Sequence, residues 1–180
     1  GVKTSAEYAY DTKAEDLKVP ATDRAATAQY TYTFKSWDKA LANVTESATY
    51  TAVYDSTVNT YTITFVVEGV STPAEYAYGT KAADLKTPAT TKPANDQYTY
   101  NFKAWDKTLA DVTGAATYTA LFDSLVNQYW VKFVVDGKAD SAKYDYGTKV
   151  ADLKTPATIK AANAQYTYTF KAWDKALADV

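Results

Sequence analysis

The sequence predicts an α+β fold, mostly β, made of tandem modules in which two strands, a short helix and two further strands follow one another. The first observation is a repeat, because Trp37, Trp105 and Trp173 are each 68 positions apart with no insertion or deletion between copies. A fixed period of this size is the sequence signature of a repeat architecture. The second observation is that apolar and polar residues alternate with a period of two through most of each copy, as they do in strands.

If a module begins at an alternating run such as YTITFVVEG, the chain divides into three parts. Module 1 covers residues 1–60 and lacks its first strand. Module 2 covers residues 61–128 and is complete, and module 3 covers residues 129–180 and lacks its last strand. We therefore expect the 180 residues to be a window from a longer array, an expectation that the mass of the intact material would test.

The first half of module 2 contains two predicted strands. The run from Tyr61 to Val67 alternates β-branched and aromatic residues with threonine and ends at Gly69, which predicts the first strand. Residues 75–78 alternate again and predict a short second strand, antiparallel to the first. Their connection contains Gly69 and Pro73, so we expect a loop of several residues.

A short helix is predicted next, over residues 80–86, with Thr80 as its N-cap and Pro88 ending it. In module 1 the corresponding threonine, Thr12, is followed three residues later by Glu15. That spacing predicts a capping box, in which each side chain bonds the backbone N–H of the other residue.

The second half of module 2 is predicted as an exposed loop and two strands. Residues 88–97 show little periodicity and form the loop. Residues 98–102 place tyrosine and phenylalanine on one face, but the alternation loses its parity before Trp105, which predicts a β-bulge or bend there. Residues 117–122 form the last strand.

Composition excludes several classes of function. The chain has no Cys and no His, so it holds no disulfide, thiolate nucleophile, imidazole base or Cys/His metal site, and we expect no cofactor. Its 19 basic and 21 acidic residues are interspersed, which argues against nucleic acid as a partner. No stretch of 18 apolar residues occurs, so we expect no membrane insertion in this segment.

The runs YTITF, EYAYGTK, YTYTFKAWDK and ATYTA resemble the Listeria-Bacteroides repeats, the family of the internalin B-type B-repeat. This resemblance implies a β-grasp-like module, with its first and last strands adjacent in the sheet, repeated in tandem on bacterial surface proteins. It also implies an extracellular or cell-surface location. The loop ATTKPANDQ is longer and more polar than the compact turn typical of the family, and the resemblance supplies no catalytic residues.

Trp130 is the most distinctive candidate site residue, because it replaces Thr62 on the strand face opposite Tyr129, Val131 and Phe133. If those three side chains point inward, Trp130 points outward beside Lys132. An outward tryptophan suits a contact with a neighbouring module, ordinary partial burial or a platform for a ligand.

Three other sets of residues have a structural interpretation beside a functional one. The Trp-Asp-Lys triplets place either a core tryptophan before a charged turn or an aromatic and a carboxylate that bind a sugar. The three aspartates of the helical segments lack the closely spaced oxygens of a calcium loop. The repeated lysines of the third strand lie on its polar face, which argues against a buried Lys–Asn cross-link. These sets are Trp37-Asp38-Lys39, Trp105-Asp106-Lys107 and Trp173-Asp174-Lys175; Asp16, Asp84 and Asp152; and Lys35, Lys103 and Lys171.

The function expected from these observations is a non-enzymatic stalk, spacer or fibre segment of a bacterial surface protein, whose partners are neighbouring modules of the same longer chain or fibre. The alternative is an adhesin array that binds host or plant glycans, or mucin, through repetition. A glycosidase, which could use two carboxylates alone, is the third possibility. Three small, nearly identical modules argue against the single deep cleft that such an enzyme needs.

Overall fold

The protein is described here by a computed structural model that covers residues 3–180. The prediction of a mostly β chain is confirmed, with about 37% of the chain in strands and 5% in helices. Among the described residues all helical structure is 3-10, in Ala14–Asp16, Ala82–Asp84 and Val150–Asp152. The strands are β1 (Tyr30–Trp37), β2 (Ala52–Val58), β3 (Thr60–Val67), β4 (Val70–Ala77), β5 (Tyr98–Trp105), β6 (Ala116–Val126), β7 (Gln128–Val135) and β8 (Lys138–Asp145).

The described strands form three sheets. β1 pairs with β2, β7 pairs with β8, and a four-stranded sheet has the order β4-β3-β6-β5. β3 and β6 are the first and last strands of residues 61–128, so their expected adjacency in the sheet is confirmed. No described helix is long and apolar enough to cross a membrane.

The connection between β3 and β4 is shorter than the sequence predicted. Glu68 and Gly69, with φ of 52° and 78°, form a two-residue turn, and β4 begins at Val70. Left-handed φ angles at both positions give the tight hairpin turn whose twist matches that of the strands. The predicted longer loop is therefore wrong, and Pro73 lies within β4. A proline is tolerated there because β4 is an edge strand and one side of it needs no ladder hydrogen bonds.

The predicted helix over residues 80–86 is reduced to the three-residue 3-10 helix Ala82–Asp84. Its N-cap is Lys81 and not Thr80, whose hydroxyl instead donates a hydrogen bond to the carbonyl of Ala77 at 2.8 Å. The capping box in module 1 is wrong for the same reason, since the Thr12 hydroxyl donates to the carbonyl of Ala9. A segment this short forms too few hydrogen bonds to offset the conformational entropy that is lost when an α-helix is nucleated.

The predicted bulge before Trp105 is confirmed. The register between β5 and β6 shifts between Phe102 and Ala104, and β1 shifts against β2 at the corresponding place. The extra residue reverses the alternation, so that Phe102 and Trp105 meet edge to face with ring centroids 5.5 Å apart. The last strand extends beyond the predicted residues 117–122 to Val126.

The most complete core is formed by five side chains from residues 61–118. Ile63 and Phe65 of β3, Leu85 after the 3-10 helix, Val112 and Tyr118 of β6 are all buried. Phe65 and Tyr118 stack with ring centroids 5.5 Å apart. Among the described residues no buried side-chain nitrogen or oxygen lacks a hydrogen-bond partner.

The chain divides into two compact units. Unit 1 comprises Gly1–Val66, Ser71–Thr87 and Thr108–Tyr118, and unit 2 comprises Val67–Val70, Pro88–Lys107 and Thr119–Val180. The predicted module boundary after residue 60 lies inside unit 1, and the boundary after residue 128 lies inside unit 2. Each boundary is therefore surrounded by contacts within one unit.

Candidate functional site

The strands of adjacent modules are separated by a single asparagine. β2 ends at Val58 and β3 begins at Thr60, so only Asn59 lies between them, and only Asn127 lies between β6 and β7. We call the surroundings of Asn59 and Asn127 the first and second junctions. The module boundaries predicted from the sequence lie nearby, but neither asparagine was predicted to be a site residue.

In the second junction, both polar atoms of the Asn127 side-chain amide make hydrogen bonds. Its Nδ2 donates hydrogen bonds to the carbonyl oxygens of Asn95 and Asp96, at 2.6 and 3.0 Å. Its Oδ1 accepts a hydrogen bond from the Thr99 hydroxyl at 2.7 Å. The amide thus ties the end of β6 to the loop before β5 and to β5 itself.

The backbone N–H and carbonyl of Asn127 also make hydrogen bonds. Its N–H donates to the carbonyl of Gln97 at 2.9 Å, and its carbonyl accepts from the N–H of Tyr146 at 2.8 Å. Gln97 precedes β5 and Tyr146 follows β8, so this one residue bonds segments of both modules. All of these groups are neutral, and their hydrogen bonds need no change of protonation.

The first junction repeats this arrangement. The Asn59 Nδ2 donates to the carbonyls of Thr27 and Ala28, and its Oδ1 accepts from the Thr31 hydroxyl at 2.8 Å. The Asn59 N–H donates to Gln29, and its carbonyl accepts from Tyr78. The same hydrogen-bond pattern therefore occurs at two positions 68 residues apart. It recurs with the sequence repeat.

A tyrosine of the following strand adds one more hydrogen bond to each junction. The Tyr61 hydroxyl of β3 donates to the carbonyl of Ala28 at 2.6 Å, and the Tyr129 hydroxyl of β7 donates to Asp96 at 2.7 Å. The carbonyls of Ala28 and Asp96 therefore each accept from an asparagine amide and a tyrosine hydroxyl. The signal in the sequence was the recurrence of Val-Asn followed two residues later by Tyr.

Trp130 lies on the outward face of β7, as predicted, and its side chain is 66% exposed. Directly opposite on β8 is Lys143, whose Nζ lies 5.4 Å from the centroid of the indole ring. In the preceding copy the corresponding pair is Thr62 and Glu75, which are joined by a side-chain hydrogen bond. Between the two copies, the neutral Thr62 is thus replaced by the aromatic Trp130, and the acidic Glu75 is replaced by the basic Lys143.

Lys132 is exposed two residues along the same face and lies opposite Ser141. An exposed indole can offer a flat apolar surface, and lysines on the same face of the sheet can attract an anionic group. The role of Trp130 in contacting a neighbouring module or a ligand remains a prediction.

The Trp-Asp-Lys triplets have structural hydrogen bonds where they are followed by a strand. Asp106 Oδ1 accepts from the backbone N–H of Thr119 at 2.8 Å, and the Asp106 N–H donates to the Thr119 carbonyl. Asp38 makes both bonds with Thr51. The aspartate is thus engaged in fixing the end of the bulged strand, and the preceding tryptophan is half-buried, which favours the structural interpretation.

Asp111 and Asp179 form the other repeated side-chain arrangement. One Asp111 oxygen accepts from the Lys81 ammonium at 2.7 Å and the other from the Ala82 N–H at 3.0 Å. The bond from Lys81, the bond from Ala82 and the charge of Lys81 hold the pKa of Asp111 below its usual value. The hydrogen bond to Asp111 and its negative charge raise the pKa of Lys81. Asp179 has the same partners in Lys149 and Val150, and its pKa is lowered for the same reasons.

The remaining candidates are separated on the surface. Asp16, Asp84 and Asp152 lie one in each 3-10 helix and are exposed, and residues 3–180 contain no cluster of three or more acidic side chains that could hold a metal. Lys103 and Lys35 form exposed ion pairs with Asp123 and Asp55. These lysines lie on the polar face, as predicted.

Comparisons with protein-family models, with curated proteins and with solved structures gave no match for this chain. The resemblance to the Listeria-Bacteroides repeats therefore remains a prediction.

Proposed function

We propose that the chain is a non-enzymatic segment of an extracellular stalk, spacer or fibre of a bacterial surface protein, built from tandem β-grasp-like modules of 68 residues. The single observation that carries this proposal is the asparagine junction. A chain that only had to connect independent modules would use a flexible linker, whereas here the last strand of one module continues into the next through one fully bonded residue.

Repeated local geometry supports the tandem modules. The hydroxyls of Tyr8, Tyr76 and Tyr144 each accept a hydrogen bond from the backbone N–H ten residues later, at 2.9, 3.0 and 3.1 Å. The sheet order β4-β3-β6-β5 supports the β-grasp-like arrangement, since it places the second, first, fourth and third strands of module 2 side by side.

The junction suits a spacer for a mechanical reason. Bending one module against the next would break the hydrogen bonds that cross the boundary. At the first junction these run from the Tyr78 N–H to the Asn59 carbonyl and from the Tyr61 hydroxyl to the Ala28 carbonyl, and the second junction has the same pair. Neither junction contains glycine, which would widen the accessible backbone conformations. Since neutral groups make these bonds, the stiffness of the array should change little with pH or salt.

The two repeated ion-paired carboxylates, Asp111 and Asp179, are poorly suited to acid catalysis. Each has its pKa lowered by its lysine partner and by a backbone N–H. A general acid working near neutral pH needs the opposite shift, which burial or a neighbouring negative charge would give.

Small-angle scattering of the 180-residue chain would test the spacer proposal. We expect an elongated particle whose largest dimension is unchanged between low and high salt. Replacing Asn59 and Asn127 by alanine should broaden the distance distribution, because the side-chain hydrogen bonds that hold the boundary residue are lost, whereas Gln128→Ala, beside the second junction, should alter it much less. A compact wild-type particle, or one as variable as the double variant, would contradict the proposal.

A glycan-binding array is the second candidate, and the exposed Trp130 beside Lys132 and Lys143 favours it. The same position in the preceding copy is Thr62, so the platform does not recur with the repeat. A panel of neutral and acidic glycans would be screened with the wild-type chain, Trp130→Ala and the matched control Val134→Ala, since Val134 is also exposed on β7. Binding that only Trp130→Ala abolishes would support this function.

A further inference from the structure

One face of the β7–β8 hairpin is exposed along its whole length. It is the face opposite Val131 and Phe133, and we call it the outer face of β7–β8. Four cross-strand pairs form it, and all eight residues are exposed: Gln128 and Asp145, Trp130 and Lys143, Lys132 and Ser141, and Val134 and Ala139.

The preceding copy shows that the exposure around Trp130 belongs to the hairpin itself. Trp130 and Lys143 correspond to Thr62 and Glu75, which are also exposed. In that copy β6 lies beside β3, the strand that contains Thr62. The neighbouring strand does not cover these two positions, so their exposure is independent of what lies beside β7.

The charge of the outer face changes between the two copies. At the eight corresponding positions of the preceding copy only Glu75 is charged, whereas the outer face of β7–β8 has Lys132, Lys143 and Asp145, so its net charge changes from -1 to +1. Asp145 lies at the end of the face, where it accepts a hydrogen bond from the Gln128 side chain at 2.8 Å. The positive charge is therefore concentrated beside Trp130.

The ammonium groups of Lys132 and Lys143 are available to an anion. Lys81, Lys103 and Lys149 form ion pairs with aspartates at 2.7, 2.8 and 2.7 Å. Among residues 3–180, no acidic side chain forms an ion pair with Lys132 or Lys143. The Lys143 Nζ lies 5.4 Å from the centroid of the Trp130 ring, and such a contact is weak at an exposed site.

The two lysines are diagonal neighbours beside Trp130. Lys143 is directly opposite Trp130, and Lys132 is two residues further along β7, opposite Ser141. Diagonal neighbours in an antiparallel pair are about 7–8 Å apart. Because lysyl side chains are long and flexible, both ammonium groups can reach a ring that lies flat on the exposed indole.

These three side chains favour a ligand that combines a flat apolar face with repeated carboxylates. A pyranose ring has such a face in its C–H groups, which can pack on the apolar face of an aromatic ring. In a hexuronate the ring also carries a carboxylate at its edge, and in a linear chain the next ring supplies a second. A neutral glycan would use the indole alone, and an acidic peptide would use the lysines without a rigid ring for the indole.

We propose that the outer face of β7–β8 binds a linear hexuronate polysaccharide. One pyranose ring packs on Trp130, its carboxylate pairs with Lys143, and the carboxylate of the next ring pairs with Lys132. This inference rests on the glycan-binding candidate above, which it narrows to acidic chains, and it is independent of the spacer function. Because the attraction is between exposed charges, it weakens as the salt concentration rises.

Calorimetric titration of the 180-residue chain with three probes would test the class of ligand. Tetragalacturonate has both the rings and the charges, its methyl ester keeps the rings without the charges, and tetraglutamate keeps the charges without the rings. We expect saturable binding of tetragalacturonate that weakens as salt is added, and binding of the other two that is weaker by about tenfold or more. Absence of tetragalacturonate binding, or equal binding of either control probe, would overturn the proposal.

Variants of the chain would locate the site. Trp130→Ala and the double variant Lys132→Gln/Lys143→Gln should each weaken tetragalacturonate binding by about tenfold or more. Val134→Ala, exposed on the same strand, and Lys138→Gln, exposed on β8 but opposite Val135 on the other face, should leave it within about twofold. Losses as large in these two control variants as in the site variants would show that the outer face is not the binding site.

The preceding copy allows the site to be built a second time. Thr62→Trp, Thr64→Lys and Glu75→Lys together copy the three side chains onto β3 and β4, and should raise the stoichiometry from one tetragalacturonate per chain to two. An unchanged stoichiometry in the folded triple variant would contradict the proposal, and this test decides if Trp130→Ala fails to fold by circular dichroism. Binding of the methyl ester that Trp130→Ala abolishes would overturn the acidic specificity but leave glycan binding standing, whereas a glycan panel without any binding would remove both.

Discussion

The hydroxyl of Thr99 donates a hydrogen bond to the side-chain oxygen of Asn127, with 2.7 Å between the two oxygens. Thr31 makes the same bond to Asn59 at 2.8 Å. Because the opposite end of each amide donates to two carbonyls, the orientation of the amide is determined by its partners. Each threonine bond thus joins a strand of one module, β5 or β1, to the asparagine at the module boundary.

Asn127→Ala should lower the free energy of unfolding by about 2 kcal/mol, because it removes three side-chain hydrogen bonds and leaves their partners to be solvated in a half-buried site. Urea denaturation would measure it. Gln128→Ala is the matched control, since Gln128 is exposed and its side chain donates a hydrogen bond to the exposed Asp145, and it should change stability by less than about 0.5 kcal/mol. Similar losses for the two variants would argue against a special role of the asparagine.

Phe65→Ala should be among the most destabilising single changes in the chain. Phe65 is buried beneath Tyr118, and truncating a buried phenylalanine costs about 3–5 kcal/mol from lost burial and the cavity left behind. Thermal and urea unfolding would measure the loss. Leu125→Ala, at a position that is 64% exposed, should change stability by less than about 0.5 kcal/mol. A Phe65→Ala loss below about 1 kcal/mol would contradict the core described here.

Gly69→Ala should destabilise the β3–β4 hairpin through backbone strain alone. Gly69 has a φ of +78° and no atom within 4 Å of where a Cβ would stand, so the cost is that of the left-handed conformation, about 1 kcal/mol. Gly114→Ala also adds a methyl group in open space but does not require positive φ. It should be neutral or slightly stabilising, because alanine restricts the unfolded chain. Equal effects of the two substitutions would exclude strain as the cause.

Asp111→Asn should remove an acid-sensitive contribution to stability. The pKa of Asp111 is lower in the folded protein than the ordinary value of 3.8, so its contribution is present above that value and is lost as pH falls through the lowered pKa. The wild-type chain should therefore be more stable than the variant near neutral pH, and the difference should shrink below about pH 3.8. Urea unfolding at a series of pH values would measure it.

The preceding copy supplies an internal reference for this variant. Asn43 occupies the position equivalent to Asp111, and its Oδ1 accepts the hydrogen bond from the Ala14 N–H at 3.1 Å. Asp111→Asn is therefore expected to keep the bond from Ala82 and to lose only the ion pair with Lys81. A difference between wild type and variant that stays constant from neutral to acid pH would show that the charge does not matter.

Local patterns in the sequence predicted the strands well because their side chains alternate between a buried and an exposed face. The alternation from Tyr61 to Val67 predicted β3, and its loss of parity before Trp105 predicted the bulge. The helix prediction failed at Thr80, because a threonine before a short apolar segment is compatible with both an α-helical cap and a 3-10 turn. The hairpin prediction failed at Pro73, which local reasoning cannot assign to an edge strand before the sheet order is known.

The sequence by itself determined the period of 68 residues, the mostly β class and the outward position of Trp130, because each depends on patterns within a few residues or on direct comparison of copies. Only the tertiary structure decided which segments become strands. Nearly the same residues form β1 and β5 but no strand at 166–173, since a strand exists only where a second strand accepts its hydrogen bonds. The roles of Asn59 and Asn127 were decided in the same way, because their partners lie about 30 residues earlier in the chain and meet them only after the sheets have formed.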